Sequence, residues 1–430
     1  MTLQLVSART VGLDKVRVAL SRNFHSFLVR CIGVLHGRHA YTPAWHTQVL
    51  ASRLQGVGEG KTKRLIVNVP PRHLKSLTAS VALPAWLLGR DPRLAIINVS
   101  YAQSLSDDFA RKCRTIMASD WYRDLFPTRL ASPREPLAEL ATTEGGFRLA
   151  TSVGGVLTGR GADVIIIDDP LKREEAMSES QRRAVNDWFG GTLYPRLNNK
   201  EKGAIVIVMQ RLHEDDLVGH LMEQGGWERL SLPAIAEEDE VHVVETPFGR
   251  QEFSRAAGEA LQPDRESLLT LETIRTTMSE TDFAAQYQQR PAPAGGGMVK
   301  AAWFPRYPAG MVSPFERIVQ SWDTANKVSE LADYSVCTTW GIRASRYWLL
   351  GVLRKKLTYP ELKRAAHEQN ALHRPQTILI EDRASGTQLI QDLIHEGVSR
   401  VARFCPDGDK TMRLHAQTAV MENGFVHLPD

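Results

Sequence analysis

The sequence predicts an α/β protein in which a parallel sheet with helices on both faces is followed by a second α/β domain. From Leu65 onward, short β-rich runs (RLIVNV, LAIINVS, VIIIDDP, GAIVIVMQ) alternate with longer amphipathic stretches. These runs are apolar throughout, which is typical of parallel strands buried on both faces. After Pro291–Lys300, a stretch with two prolines and three consecutive glycines, a second set of strand-like runs begins. They are RIVQSWDTA, YSVCTTWGI, YWLLGVLRKK and TILIE.

Length and composition exclude several protein classes. A chain of 430 residues is long enough to bury two or three separate cores. No stretch approaches the roughly 20 apolar residues of a membrane helix, and the N-terminus lacks the apolar core of a secretory signal. The four cysteines form no CxxC pair, which argues against a zinc ribbon and for a reducing compartment. The formal charge of +4 permits contact with nucleic acid but does not demand it.

The stretch LIVNVPPRHLKSLTAS, Leu65–Ser80, has the order of a phosphate-binding loop: a strand, a polar turn and a helix that begins with a lysine. In such loops the lysine, here Lys75, reaches the terminal phosphates and the next hydroxyl, here Ser76, ligates Mg²⁺. The two glycines of the usual spacing are replaced by Val69 and Leu74. Taken alone, the match is equally compatible with a strand–turn–helix that carries a lysine by chance.

The missing glycines change what the loop is expected to do. Pro70 and Pro71 donate no N–H, so fewer backbone groups are available for phosphate oxygens. We expect Arg72 and His73 to compensate, because a guanidinium fork suits phosphate. Leu74, in a glycine position, is where the loop geometry is expected to matter most.

The run VIIIDDP places Asp168 and Asp169 at the end of a buried strand, at the sheet edge where the phosphate loop also opens. Asp168 would hold Mg²⁺, directly or through water, beside Ser76. Asp169 would lie where a glutamate usually polarises the attacking water. The alternative is an ordinary Asp–Pro turn, but a lysine loop and an acidic strand in this order favour a nucleotide site.

Two further motifs have candidate roles near the phosphates. Arg160 lies between two glycines shortly before the acidic strand, so it is a candidate arginine finger, in cis or from a neighbouring subunit. Gln210–Arg211 ends the run GAIVIVMQR, where a polar residue can sense the γ-phosphate and pass hydrolysis on to a moving segment. The alternatives are a surface-loop arginine and an ordinary polar turn.

The second domain contains strand-end carboxylates. Asp323 ends one β-run and Glu381 ends another, with Asp382 and Asp333 as nearby alternates that we interpret as turn residues. A two-metal nuclease needs several carboxylates that hold two ions about 4 Å apart. Basic residues that could contact DNA phosphates gather in this half, although such charges often serve solubility alone. They are Arg354, Lys355, Lys356, Lys363, Arg364, Lys410 and Arg413.

The order of these motifs resembles the large terminase subunit of tailed bacteriophages and related prophages. The resembling stretches are VPPRHLKS, INVSYAQS, GVLTGRGADVIIIDDP, VMQRLHEDDL, AQYQQRP, QSWDTA and ILIEDRASG, which extend over most of the chain. In that family a P-loop ATPase domain pumps DNA into a preformed capsid. A ribonuclease H-like domain follows it and cuts concatemeric DNA.

The resemblance implies roles for individual residues of the ATPase half. Arg72, Lys75 and Ser76 match phosphate-loop positions and Asp168 matches the Mg²⁺-linked aspartate. Arg160 matches an arginine proposed to act across subunits.

Other matches are looser. Asp169 stands where many members have the catalytic glutamate, with Glu174 or Glu175 as a fallback. Gln210–Arg211 matches the coupling motif. The stretch YTPAWHTQVL resembles the segment near adenine, with Tyr41, His46 and Gln48 as contacts.

The resemblance also implies domains, cofactors and partners. The cofactors are ATP and Mg²⁺ for the ATPase and Mg²⁺ or Mn²⁺ for the nuclease. The partners are double-stranded DNA, the portal protein, the small terminase subunit and further copies in a ring on the capsid, in the host bacterium's cytoplasm and with no membrane. The predicted segments are a helical N-terminal region with the adenine-side segment (1–60), the P-loop core (61–230), a connector subdomain (231–290), a linker (291–300) and the ribonuclease H-like domain (301–430).

One family feature is not found in the sequence. Members normally bring a third essential carboxylate from a later acidic segment, whereas this sequence stops at VHLPD with Asp430 last. We therefore expect an incomplete, C-terminally truncated nuclease domain. Two alternatives stay open: a degenerate prophage remnant without catalysis, and another P-loop DNA translocase or helicase.

Overall fold

The fold is that of a computed structural model in which the chain divides into two compact units, Met1–Ala294 and Gly295–Asp430. The division falls within the predicted linker 291–300. Among the described residues, no helix combines the length and apolar character needed to cross a membrane. The structure describes residues 16–37, 42, 44–132, 138–157, 159–246, 249–291, 299–308, 314–325, 334–383, 385–406 and 410–430.

A seven-stranded sheet of order β3-β4-β2-β5-β6-β1-β7 forms the centre of the first unit. All neighbouring strands are parallel except β3, which runs antiparallel to β4 at the edge. The four apolar runs of the sequence are β1, β2, β5 and β6, which are four of the five inner strands of this sheet. The strands are β1 (Arg64–Asn68), β2 (Ala95–Ser100), β3 (Glu139–Ala141), β4 (Phe147–Ser152), β5 (Val164–Asp168), β6 (Ala204–Met209) and β7 (Glu228–Ser231).

Helices cover both faces of the sheet, as the apolar runs predict. Every residue of β5 and β6 is buried. Along β6, Val206 and Val208 belong to the core on one face, whereas Ile205 and Ile207 belong to the core on the other. The first face is covered by helices Phe24–His36, Trp45–Gly58, Leu83–Arg90 and Gln103–Met117, and the second mainly by Glu179–Trp188 and Leu217–Gln224.

The strand order brings three strand ends together. β6 lies between β1 and β5, with Met209 beside Asn68 and Val208 beside Asp168. Because the strands are parallel, the loops after β1, β5 and β6 leave from the same edge of the sheet. This edge carries the phosphate loop, the two aspartates and Gln210.

The region predicted as a weakly patterned connector contains a β-hairpin that the sequence analysis missed. Its strands are β8 (Glu240–Thr246) and β9 (Gly249–Arg255), followed by helices Leu268–Thr277 and Glu280–Gln286. Trp45 stacks on His242 with ring centroids 5.3 Å apart, which fixes the hairpin against the N-terminal helices.

The second unit is built on another seven-stranded sheet, of order β10-β16-β13-β12-β11-β14-β15. β11, β12 and β13 form an antiparallel meander, and β14 adds in parallel to β11. Helices Tyr359–His373 and Ser385–His395 pack on this sheet through an apolar core around Trp322 and Ile380. The strands are β10 (Arg306–Tyr307), β11 (Arg317–Asp323), β12 (Ser335–Arg343), β13 (Arg346–Lys355), β14 (Thr377–Glu381), β15 (Val401–Phe404) and β16 (Val426–Pro429).

Candidate active site

The loop after β1 adopts backbone angles that glycine normally supplies. Arg72 has φ +65° and Leu74 has φ +63°, both in the left-handed region. Leu74 occupies the second glycine position of the usual motif. The loop therefore adopts the left-handed conformation there without glycine, the residue that adopts it at no steric cost. A side chain in this region costs roughly 1 kcal/mol. The helix begins directly afterwards at Lys75.

The first turns of this helix direct two hydroxyls at one carboxylate. Residues Leu77–Ala82 form a π-helical segment, a geometry that is rare and often found at functional sites. Ser76 Oγ donates to Asp168 Oδ1 at 3.0 Å, and Ser80 Oγ donates to Asp168 Oδ2 at 2.6 Å. The Ser76–Asp168 pair is the one that the sequence predicted. Ser80 was missed, because its position four residues after Ser76 had no recognised meaning without the helix geometry.

Asp168 is 1% exposed at the end of β5. Burial, followed by the neighbouring charge of Asp169, raises the pKa of Asp168 to about 7. The hydroxyl of Ser76 and the carboxylate of Asp168 are oxygen ligands of the kind that Mg²⁺ prefers, and a bound cation would favour the ionised form of this carboxylate. These residues therefore fit the implied ion.

Lys75 contacts the second aspartate of the pair. Its Nζ lies 3.0 Å from Asp169 Oδ2, and the lysine is only 6% exposed. Asp169 also accepts a hydrogen bond from the backbone N–H of Gln210 at 3.3 Å, which links the ends of β5 and β6. Its own φ is +44°.

Backbone strain is concentrated around this group. Seven described residues other than glycine have positive φ, and three of them, Arg72, Leu74 and Asp169, lie in this site. A fourth, Gln289, accepts a hydrogen bond from the N–H of Arg211 at 3.0 Å. Because strained conformations persist only where the surroundings hold them, such clustering is typical of functional sites.

The turn after β6 is held by a buried ion pair. Arg211 Nε contacts both carboxylate oxygens of Asp216, at 3.0 and 2.9 Å. Asp216, which the sequence analysis missed, also caps the helix Leu217–Gln224 through the N–H of Gly219. Gln210 Oε1 is buried and has no hydrogen-bond partner among the described residues. The side-chain oxygen of Gln210 is therefore available to accept a hydrogen bond, whereas the guanidinium of Arg211 is held by Asp216.

Arg160 lies away from the phosphate loop of its own chain. Its guanidinium forms two hydrogen bonds to Glu139, at 3.2 and 2.7 Å, on the edge strand β3. β3 and β1 are five strand spacings apart in the sheet, on the order of 20 Å. The arginine side chain is 47% exposed. This position disfavours a role in cis and is compatible with a role in a neighbouring subunit.

The residues assigned to the adenine side are not gathered in one place. His46 and His73 are each 1% exposed, with ring centroids 5.4 Å apart, and His73 Nδ1 lies 2.8 Å from the carbonyl oxygen of Pro71. Gln48 instead lines a separate cavity of about 170 Å³ between the N-terminal helices and the hairpin. Tyr41 lies outside the described residues. Nucleotide contacts by His46, His73 and Gln48 stay predictions.

The fallback carboxylates lie six and seven residues after the end of β5. Glu174 is exposed, and Glu175 forms an ion pair with Lys172 at 3.5 Å, both on the short helix Arg173–Ala176. Neither has a described contact with Lys75, whereas Asp169 does. Geometry thus favours Asp169 among the three.

In the second unit the two predicted carboxylates lie at neighbouring strand ends. Trp322 is in register with Ile380, which places Asp323 beside Glu381 on the parallel pair β11 and β14. Both border a cavity of about 550 Å³. Lys410 Nζ lies 2.8 Å from Asp323 Oδ2, and Arg413 Nη1 lies 3.8 Å from Glu381 Oε2.

The described residues contain no cluster of three or more His, Cys, Asp or Glu side chains that could hold a metal. Asp382, one of the alternates, accepts from Thr387 at 2.8 Å and from Arg403 at 3.4 Å. Asp333 lies outside the described residues. The described part of this site therefore brings two carboxylates, Asp323 and Glu381, to neighbouring strand ends, which is fewer ligands than a two-metal centre needs.

Several of the basic residues listed above have partners within the second unit. Lys363 forms ion pairs with Asp392 and Glu396, and the Arg354 guanidinium lies 3.5 Å from the centre of the Tyr334 ring. These contacts favour a structural interpretation for both. Lys410 and Arg413, by contrast, face the carboxylate cavity.

Comparison with known proteins assigns the second unit. Residues 320–430 match the family model of the terminase RNaseH-like domain. The second unit has the fold of a terminase RNaseH-like domain. A search of curated proteins found no significant sequence match.

Solved structures extend the similarity to most of the chain. The large terminase of a thermophilic bacteriophage, in complex with ATP-γ-S, is 11% identical, with a TM-score of 0.50 over 93% of this chain and 87% of that chain. Another crystal form of that terminase is 10% identical, with the same TM-score and coverage. The HK97 bacteriophage large terminase is 11% identical over 94% of this chain and 89% of that chain, with a TM-score of 0.39. The resemblance to large terminase subunits is confirmed at the level of the fold: an α/β domain built on a mostly parallel sheet precedes the terminase RNaseH-like domain.

Proposed function

We propose that this protein is the ATP-driven motor subunit of a phage or prophage DNA-packaging terminase, joined to a metal-dependent endonuclease domain of the type that cuts concatemeric DNA. One observation carries the motor proposal. Ser76 contacts Asp168, and Lys75 contacts Asp169, each at 3.0 Å, although the two pairs come from motifs far apart in the sequence. A strand–turn–helix that carried a lysine by chance would not be expected to contact the two carboxylates at the end of another strand.

Each side chain has a distinct role in hydrolysis. Lys75 leaves Asp169 to bind the β- and γ-phosphates of ATP, and Arg72, exposed at the tip of the loop, adds a second cation. Ser76 and Asp168 would hold Mg²⁺, which when bound neutralises charge on the phosphate oxygens. Asp169 then accepts a hydrogen bond from the attacking water and orients it. Arg160 of an adjacent copy in a ring neutralises charge in the transition state.

The proposed partners follow from this role. They are double-stranded DNA, a portal protein, a small terminase subunit and further copies of the chain, in the cytoplasm of the host bacterium. The thermophilic bacteriophage terminase that was solved with ATP-γ-S supports the nucleotide proposal by similarity of fold.

The test of the motor is ATPase activity of the full chain with and without double-stranded DNA. We expect DNA to stimulate hydrolysis and Lys75→Ala to abolish it. Absence of activity in both proteins would favour the degenerate remnant. Strand separation on forked DNA would favour the helicase alternative. The terminase RNaseH-like domain at residues 320–430 argues against a helicase.

A second activity is favoured by the adjacency of Asp323 and Glu381 at the ends of β11 and β14. These carboxylates would hold a divalent cation, Mg²⁺ or Mn²⁺, that activates a water for phosphodiester cleavage when bound. Plasmid cleavage with Mn²⁺ tests this activity. Weak or absent cleavage is expected from an incomplete centre, whereas robust cutting that Asp323→Ala abolishes would contradict the incompleteness.

A further inference from the structure

Arg148, on β4, is a buried cation without a carboxylate partner in the described part of the chain. The residue is 0% exposed, and its Nε and Nη1 have no hydrogen-bond partner among the described residues. Its Nη2 donates to Asn98 Oδ1 and, at 3.2 Å, to the carbonyl oxygen of Ser80. Burying an unpaired charge is unfavourable, so a position like this calls for a reason beyond packing.

The contacts of Asn98 extend from Arg148 towards the phosphate loop. Asn98 is the polar residue in the middle of the buried strand β2 and is 0% exposed. Because its Oδ1 accepts from Arg148, its Nδ2 points the other way. There it donates to Ser80 Oγ and to the carbonyl oxygen of Ile166, both at 3.3 Å.

Ser80 completes the connection to the metal-binding carboxylate. Its hydroxyl accepts from Asn98, so its single hydrogen is free to donate to Asp168 Oδ2 at 2.6 Å. The other oxygen of Asp168 accepts from Ser76 at 3.0 Å. Every link from Arg148 onward therefore donates in the direction of Asp168.

This direction matters because a carboxylate that accepts a hydrogen bond at each of its two oxygens is held in one orientation. Without the cation, the amide of Asn98 could turn over and the hydroxyl of Ser80 could rotate away. We propose that Arg148 and Asn98 are positioning residues, which act through Ser80 to keep Asp168 oriented for binding Mg²⁺ with the nucleotide. The proposal rests on the proposed ATPase function.

The competing explanation is that the network only holds β2, β4 and the π-helical segment together. Asn98→Asp distinguishes this structural explanation from the positioning role. Aspartate gives Arg148 a carboxylate partner but has no N–H that could donate to Ser80. It keeps the side-chain volume and gives Arg148 an ion pair, although it loses the hydrogen bond to the carbonyl oxygen of Ile166, and it reverses the hydrogen-bond direction at Ser80. Ser80→Ala removes the last link at the smallest change in volume.

The measurement is the affinity of the full-length protein for a fluorescent ADP analogue, with and without Mg²⁺. The affinity of the wild type is expected to rise with Mg²⁺. In Asn98→Asp and Ser80→Ala, the ratio of the affinities with and without Mg²⁺ should fall by about tenfold or more. Residues that support metal ligands typically have effects of this size. Affinity without Mg²⁺ should stay within twofold. Ser106→Ala is the matched control, since Ser106 is equally buried and donates to the carbonyl of Asn98 at 3.1 Å, outside the chain of donors.

The outcomes separate this proposal from the proposed function. A wild type that binds no nucleotide analogue contradicts the ATPase itself. A wild type with a normal Mg²⁺ enhancement that Asn98→Asp and Ser80→Ala both retain overturns the positioning role, and so does an equal loss in Ser106→Ala. Arg148→Lys should retain more of the enhancement than Arg148→Met. If Arg148→Met does not fold by circular dichroism, the Asn98 and Ser80 variants decide.

Discussion

The ammonium nitrogen of Lys75 lies 3.0 Å from a carboxylate oxygen of Asp169, so the proposed phosphate-binding lysine and the candidate water-positioning residue neutralise each other. ATP phosphates that take Lys75 away would leave Asp169 with a free acceptor where water must be oriented. Binding of ATP would therefore release Asp169 from Lys75 in the same step. The arrangement also explains how a lysine is kept at 6% exposure with its charge compensated.

Substitution of the two partners should affect different kinetic parameters. Lys75→Ala should weaken ATP binding, because the residue contacts the ground-state phosphates. Asp169→Asn should keep nucleotide affinity but lower kcat by about a hundredfold or more, as expected for loss of a general base. Nucleotide titration and steady-state hydrolysis measure both. An equally large loss of kcat in the control Glu174→Gln would transfer the role to Glu174.

Arg72 offers a test in which stability and activity change in opposite directions. Its φ of +65° is strained for arginine and relaxed for glycine. Arg72→Gly should raise the free energy of unfolding by about 1 kcal/mol, whereas Arg72→Ala should leave it unchanged. Both should weaken ATP binding equally, since both remove the guanidinium. Urea unfolding and nucleotide titration check this, and an unchanged ATP affinity would remove Arg72 from the phosphate site.

The sequence predicted strands well where they are apolar throughout. β5 and β6 are recognisable because a strand buried on both faces needs only β-branched and apolar residues. β4 was missed because it carries Arg148 and β15 because it carries Arg403, and charged residues in such short segments are typical of turns. The hairpin β8 and β9 was missed because most of its residues are exposed, so no apolar pattern marks it.

The candidate site was predictable in its residue types but not in its backbone. From the order of the lysine loop and the acidic strand, the sequence predicted that Lys75 and Asp168 lie at the same edge of the sheet. The parallel register of β1, β6 and β5 places them there. Its position in the motif, where glycine is usual, marked Leu74 as the point at which the loop geometry matters, and its φ is +63°. No sequence pattern marked the left-handed conformation of Arg72, which the surrounding fold imposes. The contact of Ser80 depends on a π-helical segment, which no residue pattern in the sequence marks.

Arg160 should act on the ATP of a neighbouring copy. Arg160→Ala should retain nucleotide binding but lose most of the DNA-stimulated rate, by about a thousandfold in line with other arginine fingers. Mixing Arg160→Ala with Lys75→Ala should restore part of the rate, because each variant supplies what the other lacks. Arg183→Ala, another exposed arginine with a carboxylate partner, is the control. Loss of nucleotide binding in Arg160→Ala itself would contradict the trans arrangement.

The buried histidine His46 should make stability dependent on pH. Burial, followed by the neighbouring His73, lowers its pKa to about 3, and both ring nitrogens lack a partner among the described residues. The unfolded chain therefore binds the proton first, so this stability is present above pH 6.5 and is lost as the pH falls towards 3. Between about pH 7.5 and about pH 5 the wild type should lose about 2 kcal/mol more than His46→Leu. Urea unfolding at the two pH values measures this, and equal losses would contradict it.

In the terminase RNaseH-like domain, Lys410 should compete with a cation for the carboxylate of Asp323. Its Nζ lies 2.8 Å from Asp323, but the lysine and aspartate side chains are 72% and 52% exposed. An exposed pair of this kind is worth about 1 kcal/mol or less, so Lys410→Met should raise Mn²⁺ affinity by at most about fivefold. The same change should weaken DNA binding if Lys410 contacts phosphate once a metal is bound. Manganese titration by electron paramagnetic resonance and DNA binding at fixed salt measure the two effects. Lys355→Met, a change at an exposed lysine on β13, is the control for metal binding and should leave the Mn²⁺ affinity unchanged. A fall in Mn²⁺ affinity in Lys410→Met would show that Lys410 supports the metal rather than competing with it.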